Sequence, residues 1–370
     1  MKSEIYLDYN ASTPLAPEVI EAMRPFLAGY YGNPSSLHFA GAPAKAALER
    51  TRGKVAALIG CAPGEIVFTS GGSESDNHAI KGTFFACEGG RKHVITTAVE
   101  HPAVIEPIRF LQRLGAEASI VPVDKDGMVD PDDIRKEIRK ETILVSVMHA
   151  NNEVGTIEPI EEISRITREY GIPFHTDAAQ SAGKIPVDVD SLGVDLLTIA
   201  GHKLYAPKGV GALYVREGTK LASFVHGAGH EEGRRAGTES VLLAVGLGRA
   251  CEIAPDFMNG DVRLLRDLFF EKLKEIFGDD IVLNGHPEMR LPNTLNVSFR
   301  GKMGSAILDR LDGVAASTGS ACHAGETALS PVQKAMGVSE ETGLGAVRFS
   351  LGRMTTRDEI LEVVERLKHV

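Results

Sequence analysis

Cysteine is scarce in this sequence, with four in 370 residues, at positions 61, 87, 251 and 322. No Cys-x-x-Cys pair and no Cys/His cluster at zinc-ligand spacing occurs. A disulfide scaffold and a structural zinc site are therefore excluded, and each cysteine must be judged by its neighbours. Positive charge is in deficit too: 40 Lys and Arg face 50 Asp and Glu, a formal net charge of −10. No basic stripe stands out, which argues against nucleic acid and anionic membrane as partners. No run of about 18 apolar residues is available to span a bilayer. The opening Met1 to Asp8 holds no apolar stretch of signal-peptide type, so the cytoplasm is the expected location. Internal repeats and low-complexity tracts are missing as well.

What remains is an ordinary globular composition, 43% hydrophobic and 24% charged, in a chain long enough for two domains. Seven short apolar runs read as strands: 65–69, 93–97, 119–123, 142–147, 173–177, 195–199 and 211–215. Helical spacing lies between several of them, as in Ala44, Ala47, Leu48, Thr51, Val55 and Leu58, or Ile163, Ile166 and Tyr170 ahead of Gly171. This alternation predicts an α/β fold with a mainly parallel seven-stranded sheet wrapped by helices. Ligand sites in such sheets lie beyond the carboxyl ends of the strands. A boundary near residue 250 introduces a smaller α+β region. It ends in a helix with Thr356 and Glu359 in capping-box spacing and Ile360, Val363, Val364 and Leu367 on one face.

Three features carry chemistry. Thr69 to Asn77 runs from a strand through Gly71-Gly72 into Ser73 and a helix, an arrangement that can cup an anion on free N–H groups. Taken alone it is equally a strand–helix turn capped by Ser73. Asp177 closes a buried strand, where a carboxylate needs a cationic or hydrogen-bonded partner; a protonated pyridine nitrogen is one such partner. Lys203 follows another apolar strand, where a partly desolvated amine can form a Schiff base. Anion cup, strand-end acid and strand-end lysine in that order are far more specific than any one of them.

The ordered set 8–14 (DYNASTP), 32–36 (GNPSS), 70–75 (SGGSES), 100–102 (EHP), 151–155 (NNEVG), 177–180 (DAAQ), 201–203 (GHK), 235–238 (RAGT), 317–322 (STGSAC) and 348–350 (RFS) resembles the cysteine desulfurases, fold-type I enzymes of the class V aminotransferase group that use pyridoxal 5′-phosphate (PLP). The resemblance implies a large PLP-binding domain over 14–250, and a small domain of 1–13 with 251–370 that carries the catalytic cysteine. It implies that Lys203 anchors the cofactor and moves protons, that Asp177 pairs with the pyridine nitrogen and Gln180 with the phenolic oxygen, and that His101 stacks on the ring. Gly72, Ser73 and His202 would hold the phosphate, joined by Thr238 from the other subunit of a homodimer. Asn152 and Arg348 would take the substrate carboxylate, with Asn10 a further candidate. Cys322 would accept sulfur from L-cysteine as a persulfide and pass it to a sulfur-acceptor protein. The length of its loop resembles the subgroup serving iron–sulfur assembly and thiolation.

Four positions depart from that pattern. Ala200 replaces a common phosphate-binding Ser, His230-Glu231-Glu232-Gly233 replaces Gln-Glu-Arg-Gly, Ser240 replaces Asn, and His323 beside the cysteine is seen in selenocysteine lyases. Selenocysteine lyase is therefore the alternative enzyme, and a non-catalytic PLP-binding sulfur carrier the alternative outside enzymes. Cys61, Cys87 and Cys251 fit the behaviour of small inert hydrophobes.

Overall fold

The computed structural model describes residues 4–90, 92–318 and 329–369. The chain opens with β1 (Ile5–Tyr6), then runs through β2 (Ile66–Thr69), β3 (His93–Thr97), β4 (Glu117–Val121), β5 (Thr142–Ser146), β6 (Phe174–Asp177), β7 (Leu196–Ala200) and β8 (Gly211–Val215). Strands β2 to β8 form one seven-stranded sheet in the order β2-β8-β7-β6-β5-β3-β4. Pairings from β4 through β7 are parallel, whereas β8 runs antiparallel to both β7 and β2. The seven apolar runs are thus the seven strands, with boundaries shifted by one or two residues. Strands β2, β3, β6, β7 and β8 are buried at every position, which explains their continuous rather than alternating apolar pattern.

Helices α1 (Pro17–Ala28), α2 (Gly41–Ile59), α3 (Gly72–Ala86) and α4 (Pro102–Gln112) lead the helical layers. Helix α2 packs closely on the helix Val241–Ile253. A Cβ on Gly248 would stand 2.8 Å from Thr51 Cγ2, so glycine sets that approach. One large core fills one face of the sheet and a second core, with Ile80, Val104, Ile108 and Leu111, fills the other.

The last third builds a separate three-stranded antiparallel sheet from β9 (Ile281–Asn284), β10 (Thr294–Phe299) and β12 (Ala346–Ser350), with β10 central. Strand β1 pairs in parallel with β11 (Val314–Ala315), and Ile5 and Leu7 enter the core of this region. The helix Arg357–Leu367 begins with the capping box between Thr356 and Glu359 and buries Ile360, Val363, Val364 and Leu367.

The turn His230–Gly233, one of the departures noted above, is an internal anchor. Glu231 accepts two hydrogen bonds from Arg52 on α2, at 2.8 and 2.9 Å, and one from Phe68 N–H at 2.9 Å, while Arg52 also reaches Ile66 O at 2.7 Å. Both side chains are almost fully enclosed, so removing the acid strands a buried guanidinium. Glu231→Ala is expected to cost about 3 kcal/mol of stability, read as a lower urea midpoint at unchanged slope. A loss under about 0.5 kcal/mol would mean the ion pair is dispensable.

Candidate active site

The carboxyl ends of β2, β3, β5, β6 and β7 meet at a cleft of about 570 Å³. Gly72, Ser73, His101, Asn152, Asp177, Gln180, His202 and Lys203 all line it, so eight residues singled out from widely separated segments converge there. Thr238 is exposed and stands off this cleft. Cys322 lies outside the described residues. Arg348 and Asn10 sit behind the wall rather than on it.

Asp177 ends β6 buried, and its carboxylate has one hydrogen bond among the described residues, at 2.8 Å from Ala179 N–H. Burial raises its pKa, partly offset by that N–H, His101 and Lys203. A buried carboxylate with so few donors fits a cationic N–H from a bound group.

Lys203 occupies the one-turn segment Gly201–Lys203 just after β7. Its Nζ donates to Asn10 O at 2.6 Å and Ala11 O at 2.9 Å. Burial first, then Arg348, bring its pKa down to about 8, against the opposing pull of Asp177 and Asp8. At neutral pH a useful fraction is therefore the nucleophilic amine.

The anion cup is formed at the start of α3. Gly71 has φ 149 and ψ −178, a conformation open essentially only to glycine. No side chain caps the helix, and its first residue is Gly72, so Ser73 is not the cap that a plain strand–helix turn would use. A Cβ on Gly72 would lie 3.2 Å from the Ala200 Cβ, so the methyl of Ala200 fills the place opposite the cup. His202, held neutral by a pKa near 4 through burial and the nearby Lys203 and Lys208, is 3.3 Å through Nδ1 from Ser12 Oγ. His101 caps α4 by accepting the Ala103 N–H on Nδ1 at 3.1 Å, which leaves Nε2 to carry the proton of the neutral ring. Burial lowers its pKa.

Arg348 on β12 donates to Asn152 O at 2.9 Å and pairs with Asp8 at 2.8 Å. Asn10 is 1% exposed. Its side chain is committed to Thr294, Asn293, Lys184 and Asn152 O, which makes it a support rather than a contact for substrate. Two groups escaped sequence reasoning. Beside Asp177 at the cleft, Asp76 is buried and 3.6 Å from His175 Nε2, while His175 binds Ser146 and Thr198 at 2.8 and 3.1 Å. Lys184 lies against Gln180 and Asn10. Asp76 sits in the run noted for the anion cup and Lys184 four residues past Gln180, and only proximity reveals them.

The remaining described cysteines are remote from this chemistry: Cys251 is buried, and burial pushes both its thiol and that of Cys61 up to about 12. A larger surface cavity, about 830 Å³, opens around Thr142, Arg168 and Arg216 and shares no lining residue with the cleft.

Comparison with known proteins agrees with this geometry. Residues 5–363 match the family described as aminotransferase class-V. The cysteine desulfurase IscS of Dictyoglomus turgidum is 51% identical over 375 residues, covering 99% of this chain and 95% of the relative. A solved NifS-like protein superposes with a TM-score of 0.93 at 36% identity, covering 99% and 98% of the two chains. A structure of SspA in complex with cysteine gives a TM-score of 0.86 at 37% identity, covering 94% and 98%. The chain belongs to the aminotransferase class-V family, among its cysteine desulfurases.

Proposed function

We propose that this chain uses PLP to take sulfur from L-cysteine, leaving L-alanine and a persulfide on Cys322 that passes to an acceptor protein. The observation that carries the reading is the convergence of a donor-poor buried carboxylate, an amine with lowered pKa and an uncapped helix N-terminus on one cleft. The names of the relatives, and the cysteine bound in one structural neighbour, agree with it.

When bound, PLP supplies an electron sink for charge developing at the substrate Cα. Lys203 would hold it through Nζ and carry the Cα proton. Asp177 would keep the pyridine nitrogen protonated, and Gln180 would donate to the phenolic oxygen. The N–H groups at Gly72 and Ser73, with His202, would hold the phosphate. His101, neutral with its proton on Nε2, would stack on the ring and exchange protons over the cleft. Asn152 and the fork of Arg348 would bind the substrate carboxylate, which then competes with Asp8 for the guanidinium. In the sulfur step the Cys322 thiolate attacks the substrate sulfur. An S–S bond forms, the Cβ–S bond breaks, and its electron pair stays with the carbon skeleton, which is protonated and leaves as alanine.

A homodimer belongs to this reading. Leu37 and Phe39 are 100% and 89% exposed, and Thr238 stands free of its own chain's cleft, ready to serve a partner copy. No helix of the described residues is long and apolar enough to cross a membrane. The cytoplasm and an acceptor in iron–sulfur assembly or thiolation complete the reading.

Only the neutral amine attacks the cofactor's aldehyde, so uptake of PLP by the apoprotein is expected to accelerate with rising pH through a midpoint near 8. Lys203→Ala should retain no borohydride-trapped cofactor; trapping at another lysine would displace Lys203 as the anchor. Asp177→Asn should bind PLP yet form alanine about 10²-fold more slowly or worse, because an amide cannot hold the pyridine proton; near-native turnover would remove Asp177 from the mechanism. Cys322→Ala should still change the visible spectrum on adding L-cysteine while releasing no sulfide under reductant. Sulfide release at the wild-type rate would instead indicate a lyase reaction, and the same assay with selenocysteine separates that substrate.

A further inference from the structure

Lys184 follows Gln180 by four residues in the segment that leaves β6, and its half-buried side chain brings the amine against the cleft residue Gln180. Its charged neighbours are both cations, Lys203 and Arg348. Burial and these two charges push its pKa well below the ordinary lysine value. No carboxylate forms an ion pair with it among the described residues, so charge neutralisation does not account for its position.

Its hydrogen bonds do. Lys184 Nζ lies 2.7 Å from Gln180 Oε1 and 3.2 Å from Asn10 Oδ1. An amide has one accepting end and one donating end. Charged or neutral, the amine has hydrogens for both oxygens, so both amides turn their oxygens toward Lys184 and their NH₂ groups away. Asn10 Nδ2 accordingly donates to Asn152 O at 3.1 Å and Thr294 Oγ1 at 2.8 Å. Gln180 Nε2 donates to Asn10 O at 3.0 Å, the same oxygen that Lys203 reaches at 2.6 Å. A Gln180 rotated by half a turn would bring two oxygens together there and present an acceptor to the cleft.

We infer that Lys184 is a positioning residue that locks the Gln180 amide so that its N–H, and not its oxygen, meets the phenolic oxygen of the cofactor. The inference rests on the proposed function above, in which the cleft holds PLP. A donor on that oxygen draws electron density from it and weakens its hold on the neighbouring imine proton. Glu74, Asp76, His101, Asp177, His202, Lys203 and Lys208, the other ionisable groups lining the cleft, and Asp8 and Arg348 behind its wall are unchanged in the variants that test this.

The experiment is a pH titration of the visible absorbance of the PLP-loaded protein, for Lys184→Met in the wild-type and Gln180→Ala backgrounds. If Lys184 acts through Gln180, either single variant raises the midpoint by about one pH unit, a tenfold change in proton affinity. The double variant then shows no further shift. Lys184→Arg, which keeps its N–H donors, should retain the wild-type midpoint. Lys184→Ala is read in the same way and serves if the Met variant does not fold. Equal shifts in the two backgrounds mean that Lys184 acts by charge alone, and no shift in either means it does not orient Gln180; both overturn the inference. Unaltered protein that takes up no borohydride-trappable PLP would instead overturn the proposed function, which separates the two failures.

Discussion

A carboxylate buried at the end of a parallel strand is the constraint around which the cleft is organised. Asp177 cannot be solvated there and has one local donor, so its stability depends on positive charge arriving from other elements. Lys203 supplies it from the end of β7. Beside it the site is also polar: Asp76 is pushed well above its usual range by burial and by Asp177, which favours its neutral form next to His175, itself lowered to about 3. With Asp76 favoured neutral and Lys203 close by, Asp177 is the carboxyl group on the cleft floor best placed to carry negative charge. That is the requirement for holding a proton on a pyridine nitrogen.

The second constraint is that the cleft lies where the two cores meet. The N-terminal strand belongs with the C-terminal region, pairing with β11 and packing into its core, and the chain then crosses to the large sheet at Asn10. One backbone oxygen, Asn10 O, receives both Lys203 and Gln180. Two residues earlier, Asp8 pairs with Arg348 from the small sheet. A shift of the small sheet against the large one would therefore disturb the anchoring of the lysine and the glutamine and the placement of the arginine at once.

Much of this was legible in the sequence because parallel strands buried on both faces leave unbroken apolar runs, and the groups at their carboxyl ends fall into one cleft by topology alone. The direction of β8 was not legible: Gly211 to Val215 is as apolar as its neighbours, and nothing in five such residues encodes orientation. Lys184 was hidden for a different reason. Four residues after Gln180 it reads as an ordinary surface lysine, and only the crossing of the Asn10 segment turns its amine toward two amide oxygens. Glu231 likewise stood out only as a departure from a pattern until Arg52, 179 positions away, gave it a partner. Long-range pairing of polar groups has no periodicity to read.

Charge gives the cleft its selectivity. The chain as a whole carries −10, yet Lys203, Lys184, Lys208 and Arg348 stand close enough at the cleft to depress one another or His202. Against them stand Asp177 on the floor and Asp8 behind the wall. Such a site is electrostatically incomplete, and an anion that brings a phosphate to the helix N-terminus or a carboxylate to Arg348 relieves the mutual repulsion of these cations. Burial first, and then the repulsion from Arg348, keeps a fraction of Lys203 neutral and nucleophilic. The crowded cations thus favour anionic ligands at the cleft despite the negative charge of the chain as a whole.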